Sequence, residues 1–127
     1  MKYNSIYIKN ISILESSDIY RNSHYSLAPT TCDNFSMVTV ETLSSGLYVT
    51  GSILLKKIYI DYKQNINLEF LEANIDVFCK RIEEIVKKPP TWDRGTQYEF
   101  INKNFAWGEI SRKFYDEIIN VYNHFND

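Results

Sequence analysis

Two histidines, His24 and His124, are the side chains best suited to acid–base chemistry in this chain. Imidazole titrates near neutral pH, and a pair can serve as acid and base, as in ribonucleases that cleave RNA through its 2′-hydroxyl. His124 lies between Asn123 and Phe125, where the polar side of a helix is expected. We therefore expect both histidines to be surface residues, and a small ribonuclease using His24 and His124 stands as an alternative function.

A second set of candidate reactive side chains lies in the irregular stretch 15–34 and consists of His24, Cys32 and Asp33. A thiolate nucleophile needs a base within hydrogen-bonding reach, but no recognised nucleophile signature surrounds Cys32. A closed zinc site needs four nitrogen or sulfur ligands, and only His24 and Cys32 lie near one another. The four glycines are too scattered to form a phosphate-binding loop. Cys79 falls among apolar helical positions and is expected to be a buried, inert thiol. We predict no catalytic residue, no metal site and no cofactor.

Aromatic and acidic residues in the predicted loops are the remaining functional signal. Aromatic residues make up 15% of the chain, including ten tyrosines, and Tyr and Trp are enriched at protein interfaces. The stretch 15–34 is long for a connection within a compact domain, and such connections often carry function; the sequence leaves open whether it is ordered. The predicted partner-binding residues, all outside the periodic apolar stripes, are Asp18, Tyr20, Asp33, Trp92, Asp93 and Glu99.

Length and charge restrict the class of protein further. With 127 residues and 15.0 kDa, the chain is expected to form a single domain, 1–127, around one core. A net charge of −2, without a concentration of basic residues, disfavours direct nucleic-acid binding. No apolar run is long enough to span a membrane, and the first residues lack the unbroken apolar stretch of a signal peptide. We therefore expect a cytoplasmic protein with free thiols and no membrane partner.

The first half of the chain shows the period-two alternation of β-strands. Residues 6–13 alternate but change parity midway, which predicts a bulge or a break. Val38 and Val40 alternate with polar neighbours, 44–46 supply turn chemistry, and alternation resumes after the turn, so a β-hairpin is predicted. Whether 47–62 forms one long bulged strand or two strands is left open.

The second half shows helical spacing. Apolar residues recur every three or four positions over 68–88, with Asn67 as a plausible N-cap and a proline pair as the stop. A second stripe defines a helix over 108–126, whereas 97–105 has features of both helix and strand. The predicted class is α+β, with an antiparallel sheet of about four to five strands in the N-terminal half. The sheet is expected to pack against two main helices, 68–88 and 108–126.

This layout resembles the small cytosolic immunity proteins of bacterial contact-dependent and other polymorphic toxin systems. The resemblance runs through Val38–Glu41, the predicted hairpin Gly46–Gly51, the predicted strand Ile58–Tyr62 and the helical stretch Leu68–Lys88, about half of the chain. It implies a protein without chemistry of its own that binds a cognate toxin domain. No motif specific to one immunity family is present, so no functional residue is carried over.

The predicted function is therefore that of a non-catalytic binding protein, an immunity protein that neutralises a cognate toxin domain by blocking its active site or an exosite. The expected partner is that toxin domain, for which the resemblance implies nuclease activity. The chain itself is expected to be a monomer or a homodimer. An alternative is an anti-defence protein of a phage or mobile element that blocks a host effector or sequesters a signalling nucleotide.

Overall fold

The computed structural model describes residues 4–31 and 36–126. Its strands are β1 (Tyr25–Ala28), β2 (Tyr48–Ser52) and β3 (Leu68–Leu71). Its α-helices are α1 (Ile13–Arg21), α2 (Met37–Ser44), α3 (Lys56–Tyr59), α4 (Ile75–Lys87), α5 (Arg94–Phe105) and α6 (Trp107–Asn126), and 3₁₀ turns at Ile53–Leu55 and Ile60–Tyr62 flank α3.

The three described strands form one parallel sheet in the order β1-β2-β3. The prediction of an antiparallel sheet of four to five strands is therefore wrong, although the structure combines helix and sheet as an α+β fold does. Parallel neighbours cannot be joined by a tight turn and need a crossover. Here α2 lies between β1 and β2, and the helical turns around α3 lie between β2 and β3.

The predicted hairpin fails because its first strand is the helix α2. The side-chain oxygen of Ser36 accepts a hydrogen bond from the Thr39 N–H at 3.3 Å and caps the helix. The residues that α2 buries, Thr39, Thr42 and Leu43, have helical spacing, whereas Val38 is 50% exposed. The alternation of Val38 with Val40 therefore did not mark the buried face, and the β-branched residues lie in a helix.

The turn predicted at 44–46 exists, but it joins a helix to a strand. Gly46 has a φ of 77°, in the left-handed region that favours glycine. The Gly46 N–H donates to the Leu43 carbonyl and the Leu47 N–H donates to the Thr42 carbonyl, both at 3.0 Å, as in a Schellman motif. This turn sends the chain directly from the end of α2 into β2.

The stretch 47–62 is neither one bulged strand nor two strands. Its strand ends at Ser52, whose hydroxyl oxygen accepts a hydrogen bond from the Leu54 N–H at 3.1 Å and begins the helical turns. Val49, Thr50 and Ser52 of β2 are all buried, as expected for the central strand of a parallel sheet covered on both faces.

The helix predicted over 68–88 is two elements. Its first residues form β3, and α4 begins only at Ile75, where the side chain of Asn74, rather than Asn67, caps the N-terminus. Cys79 is exposed, which corrects the expectation of a buried thiol, and α4 buries Phe78 and Ile85 instead.

The remaining predicted elements agree better with the structure. Residues 97–105 fall within the helix α5, and the predicted helix 108–126 corresponds to α6. The stretch 15–34 contains most of α1 and all of β1, and residues 32–35 lie outside the described part of the chain. Residues 4–12 form neither helix nor strand, and Asn10, near the predicted break, has a φ of 58°.

Two layers of helix enclose the sheet. One face of the sheet contributes Ala28, Val49 and Leu68 to a core shared with α2, α3 and α5. On the other face, Glu69 of β3 forms an ion pair with Arg81 of α4 at 2.8 Å, which places α4 over that side. The helix α6 contacts α5, and none of its residues 107–125 is buried.

Candidate functional site

A cleft in the described structure lies between α1, the end of α2 and the start of α5. It has a volume of about 430 Å³ and is lined by Ser17, Arg21, Ser44, Ser45, Gly46, Arg94, Gly95 and Tyr98. A second cleft of about 260 Å³ lies between α1 and α2 and is lined by Ile13, Ser16, Ser17, Tyr20, Glu41, Ser44 and Ser45. The two clefts share three serines, so they form one continuous depression along α1, which we call the α1 cleft.

The helix α1 is fixed at its N-terminus by a capping box. The Glu15 N–H donates to the Ser12 hydroxyl at 3.2 Å, and the Ser12 N–H donates to the Glu15 carboxylate at 2.7 Å. These hydrogen bonds lower the pKa of Glu15 below its ordinary value. Further along α1, the Tyr20 hydroxyl donates to the Glu41 carboxylate of α2 at 3.4 Å. No residue of α1 is buried, so the helix lies on the surface of the domain.

The start of α5 forms the opposite wall of the α1 cleft. The Asp93 carboxylate accepts hydrogen bonds from the N–H groups of Gly95 at 2.9 Å and Thr96 at 3.1 Å, and so caps the helix. The hydrogen bonds from Thr96 and Gly95 lower the pKa of Asp93. The guanidinium of Arg94 lies 5.3 Å from the centre of the Trp92 ring, within cation–π range. Capping and stacking together fix the position of Arg94 at the cleft.

Trp92 belongs to a cluster of aromatic rings under this wall. Its ring centre lies 5.6 Å from those of both Tyr25 and Tyr48, and its indole N–H donates to the Gly46 carbonyl at 2.9 Å. Trp92 is half-buried and therefore ties the segment before α5 to the first two strands.

Tyr48 connects this cluster to a half-buried polar network around Glu69. The Glu69 carboxylate accepts hydrogen bonds from the Thr50 hydroxyl at 2.6 Å, from Arg81 at 2.8 and 3.0 Å, and from the Tyr48 hydroxyl at 3.4 Å. Burial, reinforced by the charge of Glu69, raises the pKa of Tyr48. The hydrogen bonds that Arg81 donates to Glu69 also raise the pKa of Arg81. These hydrogen bonds use the acceptor positions of the Glu69 carboxylate and join β2 and β3 to α4. The network therefore stabilises the contact between the sheet and α4.

Four of the predicted partner-binding residues lie on or next to the helices that form the α1 cleft. Asp18 and Tyr20 lie on α1, and Trp92 and Asp93 immediately precede α5. Arg94 lines the cleft with Arg21 of α1 and donates a hydrogen bond to the Ser23 carbonyl at 3.5 Å. Among the described residues of this set, Tyr20 lines the α1 cleft, whereas Asp18, Trp92, Asp93 and the exposed Glu99 do not. Asp33 lies outside the described residues.

The side chains considered for catalysis have separate surroundings. The His24 ring contacts Tyr25 and the His124 ring contacts Phe125, and no contact among the described residues joins the two imidazoles. Cys32 lies outside the described residues, as Asp33 does, so their proximity to His24 stays a prediction. Within residues 4–31 and 36–126 no three histidine, cysteine, aspartate or glutamate side chains gather as metal ligands would.

Two exposed apolar surfaces were not predicted. The first, called the 6–14 surface, precedes and begins α1; its side chains are 41–88% exposed and are Ile6, Tyr7, Ile8, Ile11, Ile13 and Leu14. The second covers one side of α6. The period-two pattern of 6–13 and the helical stripe of 108–126 both signalled apolar faces. Sequence pattern alone cannot tell a face that packs on the domain from one that remains exposed.

No protein-family model matches this chain, and neither a curated protein nor a solved structure is significantly similar to it. Among the described residues, no helix combines the length and apolar character needed to cross a membrane.

Proposed function

We propose that this chain is a non-catalytic binding protein that acts as an immunity protein: it binds a cognate bacterial toxin domain in the cytoplasm and blocks its active site or an exosite. Several segments that suggested this class have other structures than expected, since Val38–Glu41 is helical and Ile58–Tyr62 forms helical turns. The proposal therefore depends on the surface of the molecule.

The 6–14 surface is the observation that carries the proposal. Ile13 and Leu14 are 87% and 79% exposed, and Ile6 and Tyr7 are 85% and 88% exposed. Large apolar side chains exposed together on a small domain are typical of a surface that binds another protein. Ile13 also lines the α1 cleft beside Tyr20, so the apolar surface continues into a depression with a polar rim. An apolar centre with a polar rim is the usual anatomy of a protein interface.

Occlusion is the mechanism that this surface supports. A specific interface covers roughly 800 Å² on each partner, and a few central side chains account for most of the binding energy. Ile13 and Tyr20 would anchor such an interface. The exposed carboxylates of Asp18 and Glu41 on the same side would attract a basic partner such as a nuclease and speed its association.

The test is co-expression with the polypeptides encoded on either side of this chain's gene. We expect one of them to arrest growth alone and to be tolerated when the wild-type chain is present. Ile13→Asp should weaken binding of that partner by about 30-fold or more, as loss of a central interface residue does, and growth should again be arrested.

Ile75→Asp is the matched control. Ile75 is also the first residue of a helix and is 77% exposed, but it lies on α4 rather than on α1. This variant should protect as well as the wild type. If no neighbouring polypeptide is toxic, the proposed function is wrong. If Ile13→Asp protects as well as Ile75→Asp, the surface assigned to that function is wrong.

A second candidate function is sequestration of a signalling nucleotide, the activity expected of an anti-defence protein. The observation that favours it is the pairing of Arg21 and Arg94 in one cleft with Tyr98. Guanidinium groups bind phosphates and aromatic rings stack on bases. A cyclic dinucleotide should then raise the melting temperature of the wild type but not of Arg21→Ala, with Arg112→Ala as the control. Absence of any shift with cyclic nucleotides would remove this candidate.

A further inference from the structure

Arg94 differs from the other arginines of the chain in the groups that hold its guanidinium. The other three each form an ion pair with a carboxylate and are Arg21, Arg81 and Arg112. In the part of the chain that the structure describes, Arg94 forms no ion pair; it lies over the Trp92 ring and donates one hydrogen bond, to the Ser23 carbonyl. A guanidinium carries five N–H donors, so most of those on Arg94 are available to a ligand.

Arg94 also lines two depressions at once. The first is the wider part of the α1 cleft, with a volume of about 430 Å³. The second, which we call the Trp92 depression, has a volume of about 300 Å³ and is lined by His24, Pro90, Thr91, Trp92 and Arg94. Both volumes are of the size found for small-molecule sites. The guanidinium therefore lies where two depressions of ligand size meet.

The charges around these two depressions favour an anion. Their lining includes the guanidinium groups of Arg21 and Arg94 and the imidazole of His24, and none of these lining residues is acidic. Asp93, next to Arg94 in the sequence, uses its carboxylate to cap α5. Glu41 lines only the narrower part of the α1 cleft. An anionic group beside Arg94 would therefore meet cations and hydrogen-bond donors.

A phosphate group is an anion that this arrangement fits. The planar guanidinium of arginine donates two parallel hydrogen bonds to a phosphate. Arg21 lines the wall of the α1 cleft opposite Arg94. Its ion pair with Asp18 spans 3.6 Å between side chains that are 74% and 72% exposed, and such surface pairs contribute little free energy. Arg21 is therefore able to contact the same phosphate.

Aromatic rings accompany Arg94 in both depressions. Tyr98 follows Arg94 by four residues on α5, so the two side chains are neighbours on one side of the helix. Tyr98 is 56% exposed and lines the α1 cleft, whereas Trp92 and His24 line the Trp92 depression. Accessible aromatic rings bind nucleobases by stacking, whichever base is present. Each depression therefore offers a place for one nucleoside beside the shared guanidinium.

From this arrangement, we infer that Arg94 binds the phosphate of a dinucleotide, one nucleoside of which lies against Tyr98 and the other in the Trp92 depression. A mononucleotide would fill only one of the two depressions. The inference builds on the second candidate function, which used the α1 cleft alone, and it needs no toxin partner. Linear and cyclic dinucleotides share this chemistry, and the experiment below distinguishes them.

Isothermal titration calorimetry with the linear dinucleotide pApA, with cyclic di-AMP and with AMP tests the site. At least one of the two dinucleotides should bind about tenfold more tightly than AMP, or better, because a second stacked base adds to the affinity. Arg94→Gln should weaken this binding about tenfold or more, since it removes the charged donor. Arg112→Gln, the matched change on α6, should bind as the wild type does. If neither dinucleotide binds, or if AMP binds equally tightly, the inference is overturned.

Two further variants test whether both depressions are used. Tyr98→Ala and His24→Ala should each weaken dinucleotide binding about fivefold or more, whereas the matched changes on α6, Tyr115→Ala and His124→Ala, should not.

The outcomes separate this inference from the second candidate function. Undiminished binding by His24→Ala would confine the ligand to the α1 cleft, which overturns the inference but leaves sequestration of a nucleotide standing. Binding of pApA but not of cyclic di-AMP, with loss in both variants, would remove the sequestration of a cyclic signalling nucleotide and support the inference.

Discussion

Gln97 shows how much of this fold depends on one buried side chain. Its amide nitrogen donates to the carbonyls of Leu43 at 2.9 Å and Leu47 at 2.8 Å. Its amide oxygen accepts from the backbone N–H and the side chain of Asn67, both at 2.8 Å. All four hydrogen-bonding positions are used, and they join α5 to the end of α2, the start of β2 and the segment before β3.

We expect Gln97→Ala to lower the free energy of unfolding by about 3 kcal/mol, because it leaves buried backbone groups without partners. Urea denaturation measures this as a fall in the midpoint at constant slope. Glu99→Ala, on the exposed side of the same helix, should change stability by less than about 0.5 kcal/mol. A loss below about 1 kcal/mol for Gln97→Ala would contradict the role assigned to this amide.

Asp93 predicts a pH dependence of stability. Its folded-state pKa is lowered from the ordinary 3.8 mainly by hydrogen bonds from Thr96. Its stabilising contribution is therefore complete above the unfolded-state pKa and is lost as the pH falls through the lower folded-state value. Asp93→Asn keeps an oxygen that can cap α5 but removes the titration.

Urea midpoints of the wild type and Asp93→Asn, measured from neutral pH into the acid range, check this. The stability advantage of the wild type over Asp93→Asn should shrink as the pH drops below 3.8. A difference that does not change with pH would contradict the capping role of the charged carboxylate.

At the scale of elements, the helix α2 is where sequence and structure differ most. Val38 and Val40 favour a strand by residue type and by alternation, yet Ser36 caps a helix and Thr39, Thr42 and Leu43 bury its inner side. The Thr42 hydroxyl donates to the Val38 carbonyl at 2.8 Å, which satisfies a buried polar group within the helix. The tertiary environment therefore overrides the β-propensity of the segment.

Val38→Ala distinguishes the two structures of this segment. In an exposed position of α2, alanine should raise the free energy of unfolding by about 0.5 kcal/mol, because it has the higher helix propensity. In a strand the same change would lower stability. Val49→Ala, in the buried strand β2, should cost about 2 kcal/mol and serves as the comparison. A destabilised Val38→Ala would contradict the helix.

At the scale of the whole molecule, the sequence predicted the mixture of sheet and helix and the helical character of the second half. It did not predict the parallel sheet, because β1 is a four-residue strand in a segment with no clear period, and the spacing from Leu68 to Leu71 suits a helix as well as a strand. Trp92 and Asp93 stood out as residue types, but their contacts with Gly46, Gly95 and Thr96 depend on tertiary packing and local geometry. Exposure of Cys79 and of α6 could not be inferred from periodicity.

The proposed immunity function requires one molecule of this chain to occupy one molecule of its partner without turning over. The most direct measurement is titration of the partner's toxic activity with increasing amounts of the purified chain. We predict that activity falls linearly and reaches zero at one chain per toxin domain, and that it stays constant with time at each ratio. Complete and progressive inactivation by a small fraction of one equivalent would contradict the account, because it would require catalysis by this chain.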